Sequence, residues 1–317
     1  CMVRLSVFIE WKRNTFMDVR TYRADALLLL TATIWGFAFV AQRVGMDYVG
    51  PFTFNGVRFA LGSLSLVPLF FLMERKNSPA SALVPRASRR TIFWGGGLAG
   101  LFLFSGASLQ QVGLVYTTAG NAGFITGLYV VIVPLMGLFL RQRTHMGTWL
   151  GALLAAIGLY FLSITEALTI AWGDLLVLIG AFFWAAHVLI IGRLSPRMDA
   201  LKLAITQFAV CSLLSLLTAV ALETLTWDGL RQAAIPILYG GVGSVGVAYT
   251  LQVVAQKDAH PAHAAIFLSM EAVFAAIGGW WLLNEVLTAR SLLGCGLMLF
   301  GMLFSQLWGF LRIGSWR

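Results

Sequence analysis

Two fixed offsets relate one half of this chain to the other. Asp25 and Trp35 recur 149 residues later as Asp174 and Trp184, and Phe59, Ala60 and Ser63 recur at the same offset as Phe208, Ala209 and Ser212. Past a loop that is shorter in the second half, the offset becomes 143. Gly97, Gly100, Ala119, Ala122, Phe124, Gly151 and Gly158 then match Gly240, Gly243, Ala262, Ala265, Phe267, Gly294 and Gly301. One such match is chance among so many small and apolar residues. Two consistent offsets running through five successive apolar stretches are an internal duplication, so the chain must fold as two copies of one unit.

What the unit is follows from its polarity. Charged residues make up 11% of the chain and hydrophobic ones 59%, against roughly 25% charged in a soluble domain. The apolar surface therefore needs a bilayer. A hydrocarbon core about 30 Å thick takes about 20 apolar residues per helix. Ten stretches fit: 24–42, 51–73, 91–111, 117–140, 146–165, 173–192, 202–222, 233–255, 261–283 and 290–311. The expected fold is an all-α integral membrane protein of ten transmembrane helices in two five-helix repeats, 24–165 and 173–313, after an N-terminal segment 1–23. Five is odd, so the second copy enters the membrane with the opposite orientation to the first. Inverted repeats place a pseudo-two-fold axis in the membrane plane, and rocking one half against the other opens the centre to alternate sides. That architecture implies a multi-pass secondary transporter of the plasma (inner) membrane, and the short loops leave no room for a soluble catalytic domain.

The net charge of +9 would suggest nucleic acid in a soluble protein, but its distribution argues otherwise. With the N-terminus cytoplasmic, every Lys and Arg except Arg43, Arg58, Arg231 and Arg290 falls in a cytoplasmic segment or at a cytoplasmic helix end. The positive-inside rule then puts both termini in the cytoplasm, and an even helix number agrees. Segment 1–23 is too charged for a signal peptide; with Cys1 ahead of Met2, Met17 is an alternative start. Cys1, Cys211 and Cys295 form no disulfide framework.

Glycines are frequent inside the apolar stretches. Gly95, Gly97 and Gly100 match GxGxxG, as do Gly241, Gly243 and Gly246. Neither run follows a strand, so both read as helix packing and not as a dinucleotide site. Gly147 and Gly151 form a GxxxG, and Gly151/Gly158 and Gly294/Gly301 repeat at two-turn spacing; they serve packing within the chain or contact with a second copy in a homodimer. No P-loop, Ser/His/Asp set or Cys-rich cluster occurs, so neither catalysis, a cofactor nor direct ATP drive is expected. His260 and His263 stand at i, i+3 without a third ligand, a weak metal signal. Pro261 between them reads as the first-turn residue of a helix.

Ionisable groups at bilayer depth are costly and need a partner, a cavity or a role. Glu271 lies about 15 Å into its helix, near the midplane. It reads as a proton-coupling or cation-binding carboxylate, or as a neutral acid hydrogen-bonded between helices. Arg58 lies about 10 Å from the outer end of its helix. It can snorkel outward or face the centre and pair with a substrate carboxylate or with Glu271. His187 reads as a hydrogen-bonded core residue or a proton relay. At the repeat offsets these three match Gln207, Leu128 and Ala38, so each charge occurs in one copy only. A duplicated scaffold does not account for a charge placed in one half, which marks these residues as site candidates. Gln110, Asn121, Thr126, Tyr129, Gln207, Ser244, Tyr249 and Gln252 add neutral polar groups at depth. Tyr249, Gln252 and Gln256 follow helical spacing and form a polar stripe. Trp35 and Trp184, which are repeat mates, read as aromatic walls for an apolar or ring-bearing substrate, or as packing.

Several short runs resemble one family. They are Trp35-Gly36, Arg58-Phe59-Ala60, Gly173-Asp174-Leu175-Leu176, Phe183-Trp184-Ala185, the run Leu268 to Val273, the run Leu283 to Thr288, and Gly294. In order and spacing they resemble the EamA-type members of the drug/metabolite transporter superfamily, over residues 24–313. Two positions depart from that pattern: Ala272 stands where a proline is usual, and Arg141-Gln142-Arg143 where an acid is usual. The resemblance implies an exporter or exchanger of a small metabolite, amino-acid-like or amphiphilic, with a central cavity between the repeats.

Overall fold

The computed structural model describes residues 2–76, 88–117, 119–142, 146–163, 172–284, 286 and 288–313; the side chains of 2–19, 73–76, 89, 121, 159, 162–163, 291, 306–307 and 309–313 lie outside that description. Among the described residues every regular element is helical. The first copy comprises α1 (Met2–Gly45), α2 (Pro51–Lys76), α3 (Arg89–Tyr116), α4 (Ala119–Gly127), α5 (Tyr129–Phe139) and α6 (Met146–Ser163). The second comprises α7 (Trp172–Leu194), α8 (Ala200–Leu222), α9 (Trp227–Gln232), α10 (Ala234–Leu238), a π-helix (Tyr239–Tyr249), α11 (Thr250–Ala255), α12 (Pro261–Leu268), α13 (Glu271–Leu283) and α14 (Ala289–Ile313). Helix starts follow local chemistry. Pro51 and Pro261 occupy first positions, where their missing N–H costs nothing. The Asp199 carboxylate accepts from the Leu201 and Lys202 amides, both at 3.0 Å, and so caps α8.

Among the described residues, eight helical stretches are long and apolar enough to cross a membrane. The stretches 146–165 and 290–311 form α6 and α14, but their apolar parts, Met146–Gly158 and Leu292–Ser305, are shorter. The N-terminal segment differs from expectation in one respect: it continues the first spanning helix back to Met2 instead of standing apart from it.

The duplication is visible in atomic contacts. Ser63 donates to the carbonyl of Ile205 at 3.2 Å, and its mate Ser212 donates to the carbonyl of Gly56, the mate of Ile205, at 2.8 Å. Phe59 faces its own mate Phe208, ring centres 6.2 Å apart. These reciprocal contacts put a two-fold axis between α2 and α8, which run antiparallel. The same holds for α6 and α14. A Cβ on Gly151 would lie 2.7 Å from the Gly301 carbonyl, and one on Gly158 would lie 2.6 Å from that of Gly294. Helices in lipid associate through such close backbone approach. Gly147 is likewise closed off by Trp308, so this GxxxG run packs inside the chain.

Three spans expected to be continuous are broken. The fourth is jointed at Leu128 (φ −59°, ψ −14°) and the ninth at Ser269 and Met270 (ψ −16° and −14°). At both joints the amide bonds tighten to i−3: Leu128 to Ile125 at 3.2 Å, and Met270 to Phe267 at 3.1 Å. Ser269 supports its joint by donating from its hydroxyl to the Ile266 carbonyl at 2.8 Å. Its mate across the repeat is Thr126. Both copies also end this span with a left-handed residue at mated positions, Arg141 (φ 57°) and Asn284 (φ 56°). The joint in the ninth span thus forms with Ala272 where the family usually has proline. Glu285 and Leu287 of the run Leu283 to Thr288 lie outside the described residues. The eighth span departs from its mate: residues 239–249 are π-helical, whereas their counterparts lie within the unbroken α3.

Candidate functional site

The two joints and the two-fold axis converge on a cavity between the copies. Its free volume is about 30 Å³, room for one or two water molecules. One face of α1 lines it with Trp35, Ala38, Phe39 and Gln42, which follow the i, i+3, i+4, i+7 pattern of a single helical stripe. Helix α7 contributes Trp184, His187 and Val188, and the eighth span contributes Ser244, Tyr249 and Gln252. Thr126 and Tyr129 come from either side of the first joint, and Leu268 and Glu271 from either side of the second.

Tyr249 is the hub of the aromatic walls. Its ring lies 4.5 Å from Trp35 and 6.1 Å from Trp184, the latter stacked at 26°. Phe59, Phe208 and His187 close around it at 6.0, 5.8 and 6.2 Å. The repeat mate of Tyr249 is Gly106, where a Cβ would lie 3.2 Å from the Trp184 ring. Two mated tryptophans therefore share one phenol that only the second copy supplies. The Trp35 indole N–H donates to the Ser244 carbonyl at 3.2 Å, fastening α1 to the π-helical segment.

A polar chain crosses the opposite wall. Gln110 accepts from the Trp184 indole N–H at 2.9 Å and from the Thr126 hydroxyl at 3.4 Å, and its amide donates to the Gln42 oxygen at 3.1 Å. His187 hydrogen-bonds Gln207 at 2.8 Å. Gln207 stands behind it, outside the lining. The expected stripe bends: Tyr249 and Gln252 face the cavity, but Gln256 turns away and donates to the Val188 carbonyl at 3.0 Å.

Glu271 opens α13 and is 3% exposed. The Tyr129 hydroxyl adjoins its carboxyl. Helix α1 fits against this turn at Gly36, where a Cβ would lie 2.8 Å from the Glu271 carbonyl. Arg58 is 2% exposed, so it does not snorkel to the surface. Nor does it pair with Glu271: among the described residues it has no ion pair, and its Nε has no hydrogen-bond acceptor. The guanidinium instead lies over the rings of Phe59 and Phe54, 5.0 and 5.5 Å from their centres.

Of the residues singled out from the sequence, Glu271, Arg58, His187, Trp35, Trp184, Tyr249, Gln252, Gln110 and Tyr129 thus meet in one cavity. The Asn121 side chain lies outside the described residues. Gln42 and Phe39 were not singled out, although helical spacing from Trp35 points to both. The two histidines once paired for a metal are engaged separately: His260 caps α12 through the Ala262 amide at 3.3 Å, and His263 bonds Asp25 at 2.9 Å.

Comparison with known proteins places this geometry. Residues 22–164 and 171–307 each match the EamA-like transporter family. The chain belongs to the EamA-like transporter family. An uncharacterized transporter of Archaeoglobus fulgidus is 32% identical over 97% of this chain and 92% of its own length. The inner membrane transporter YedA of Escherichia coli is 24% identical, over 86% of this chain and 87% of its own. A solved crystal structure aligns with a TM-score of 0.72 at 17% identity, over 90% of this chain and 96% of the other, a likeness of fold. The two family matches coincide with the two copies read from the offsets, so each EamA-like unit supplies one of the mated tryptophans and one of the joints. The chain is accordingly a multi-pass membrane transporter.

Proposed function

We propose that this EamA-like protein exports or exchanges a small organic metabolite by alternating access, with a proton exchanged through Glu271. The membrane form is ten spans in inverted repeats, both termini cytoplasmic, in the plasma membrane. One observation carries the reading. A cavity at the repeat interface lies beside two mated helix joints, and the ionisable groups lining it each come from one copy alone. Jointed spans at a repeat interface are how secondary transporters hold substrate and coupling ion near the midplane. The small volume leaves no room for an organic solute, so the cavity must widen for one to pass. Glu271 begins a half-helix beside the Tyr129 hydroxyl, so a proton gained or lost there changes the hydrogen bonding between the two joints.

The test is transport in proteoliposomes loaded with a metabolite panel, with and without an imposed pH gradient. Glu271→Gln is expected to abolish gradient-driven accumulation while retaining counterflow. Unchanged gradient-driven accumulation would refute the coupling role. Counterflow that needs no gradient in the wild type would instead favour a facilitator or exchanger in which Glu271 only binds solute.

A further inference from the structure

We propose that Arg58 is an anion-binding residue for the carboxylate of a planar, monoanionic organic substrate. This rests on the transport reading and names the substrate class for the same cavity. A guanidinium keeps its charge under all physiological conditions. Buried without an anion, such a charge is costly, and the two phenylalanine faces offset only part of that cost. Arg58 nevertheless lines the cavity at 2% exposure with an orphaned Nε, among described residues that give it no acid. The missing partner is therefore brought by the ligand, and the planar fork of the guanidinium fits a carboxylate through paired N–H donors.

The remainder of the cavity sets the rest of the ligand. Trp35, Tyr249 and Trp184 form a wall of ring faces, suited to a flat apolar body. Glu271 lies in the same cavity and, when ionised, disfavours a second negative charge, which selects a monoanion over a phosphate dianion. The repeat mate of Arg58 is the neutral Gln207, held by His187. The anion is thus bound to one side of the two-fold axis.

The purified full chain is titrated with phenylacetate, its neutral isostere phenylacetamide and the cation phenethylamine, with binding read by calorimetry and by thermal shift. Phenylacetate is expected to bind the wild type about 10-fold or more tightly than either analogue. Arg58→Gln, which copies Gln207, should erase that preference, and Arg58→Lys should keep part of it. Equal binding of the three probes, binding of none of them, or a preference that persists in Arg58→Gln would overturn the proposal. The wild-type comparison decides even where a variant fails to fold. Counterflow in proteoliposomes separates this inference from the one beneath it. Phenylacetate binding without counterflow of any solute keeps the Arg58 site and sinks transport; counterflow of other solutes with no phenylacetate preference does the reverse.

Discussion

Gly36 fits closely against the joint of the ninth span, and a single methyl group tests it. A Cβ placed on Gly36 would lie 2.3 Å from Phe274 Cβ and 2.8 Å from both the Ala275 amide nitrogen and the Glu271 carbonyl oxygen. Non-bonded carbon atoms rest about 3.5–4.0 Å apart, so α1 and α13 would have to part by about 1 Å. None of the three atoms can move away by a side-chain rotation beyond Cβ. Overpacking of this kind costs about 1–3 kcal/mol, and the shift falls on the turn that carries Glu271. Gly97 is the internal control, because a Cβ there meets nothing within 4 Å. Gly97→Ala should be neutral or gain up to about 1 kcal/mol from helix propensity. Gly36→Ala should lower the melting temperature in detergent and reduce transport in the same preparation. If the two variants melt alike, the close contact between α1 and the joint is not one the protein depends on.

Two further predictions follow from the symmetry. Ser63→Ala and Ser212→Ala remove mated hydrogen bonds across the two-fold axis and should each cost about 0.6 kcal/mol; unfolding equilibria that differ by more than about 1 kcal/mol would argue against equivalent roles. Tyr249→Ala removes the ring between Trp35 and Trp184 and should destabilise by about 3–5 kcal/mol, as truncation of a buried aromatic does. Millimolar phenol should then raise the melting temperature of that variant and not of the wild type, and an unresponsive variant would show that no ring-shaped void is left.

Much of this was legible in the sequence for a physical reason. Offsets of 149 and 143 preserve which residues face one another, so Ser63 meets Ile205 as Ser212 meets Gly56, and Gly151 meets Gly301 as Gly294 meets Gly158. Depth made Arg58, His187 and Glu271 conspicuous, since a charge in an apolar stretch needs an explanation. The joints were not legible. At Leu128 and Ser269 the backbone tightens through a ψ change alone, with no proline to mark it. The π-helical turn was hidden as well: glycines at 240, 241, 243 and 246 signal close packing in any helix and do not specify its hydrogen-bond register. Gln42 was passed over because it sits at the end of its apolar stretch, although seven residues from Trp35 returns to the same helical face.

What the duplication leaves unequal matters for the direction of transport. Were the two copies identical, the states open to either side would be related by the two-fold axis and equal in energy, and only the gradients could bias them. The mated aspartates break that equality. Asp25, at the start of the first span, closes on His263 of α12 at 2.9 Å. Its mate Asp174, at the start of α7, closes on the Thr117 hydroxyl at 2.6 Å. Both contacts join one copy to the other, but the mated aspartates meet unmated partners, and an imidazole can form an ion pair where a hydroxyl cannot. Under the proposed alternating access, opening one end would break a different bond from opening the other. Together with a carboxyl and a guanidinium placed in opposite copies around the cavity, this makes the two ends chemically unequal, and under the proposed mechanism a bound solute and a proton would weight them differently.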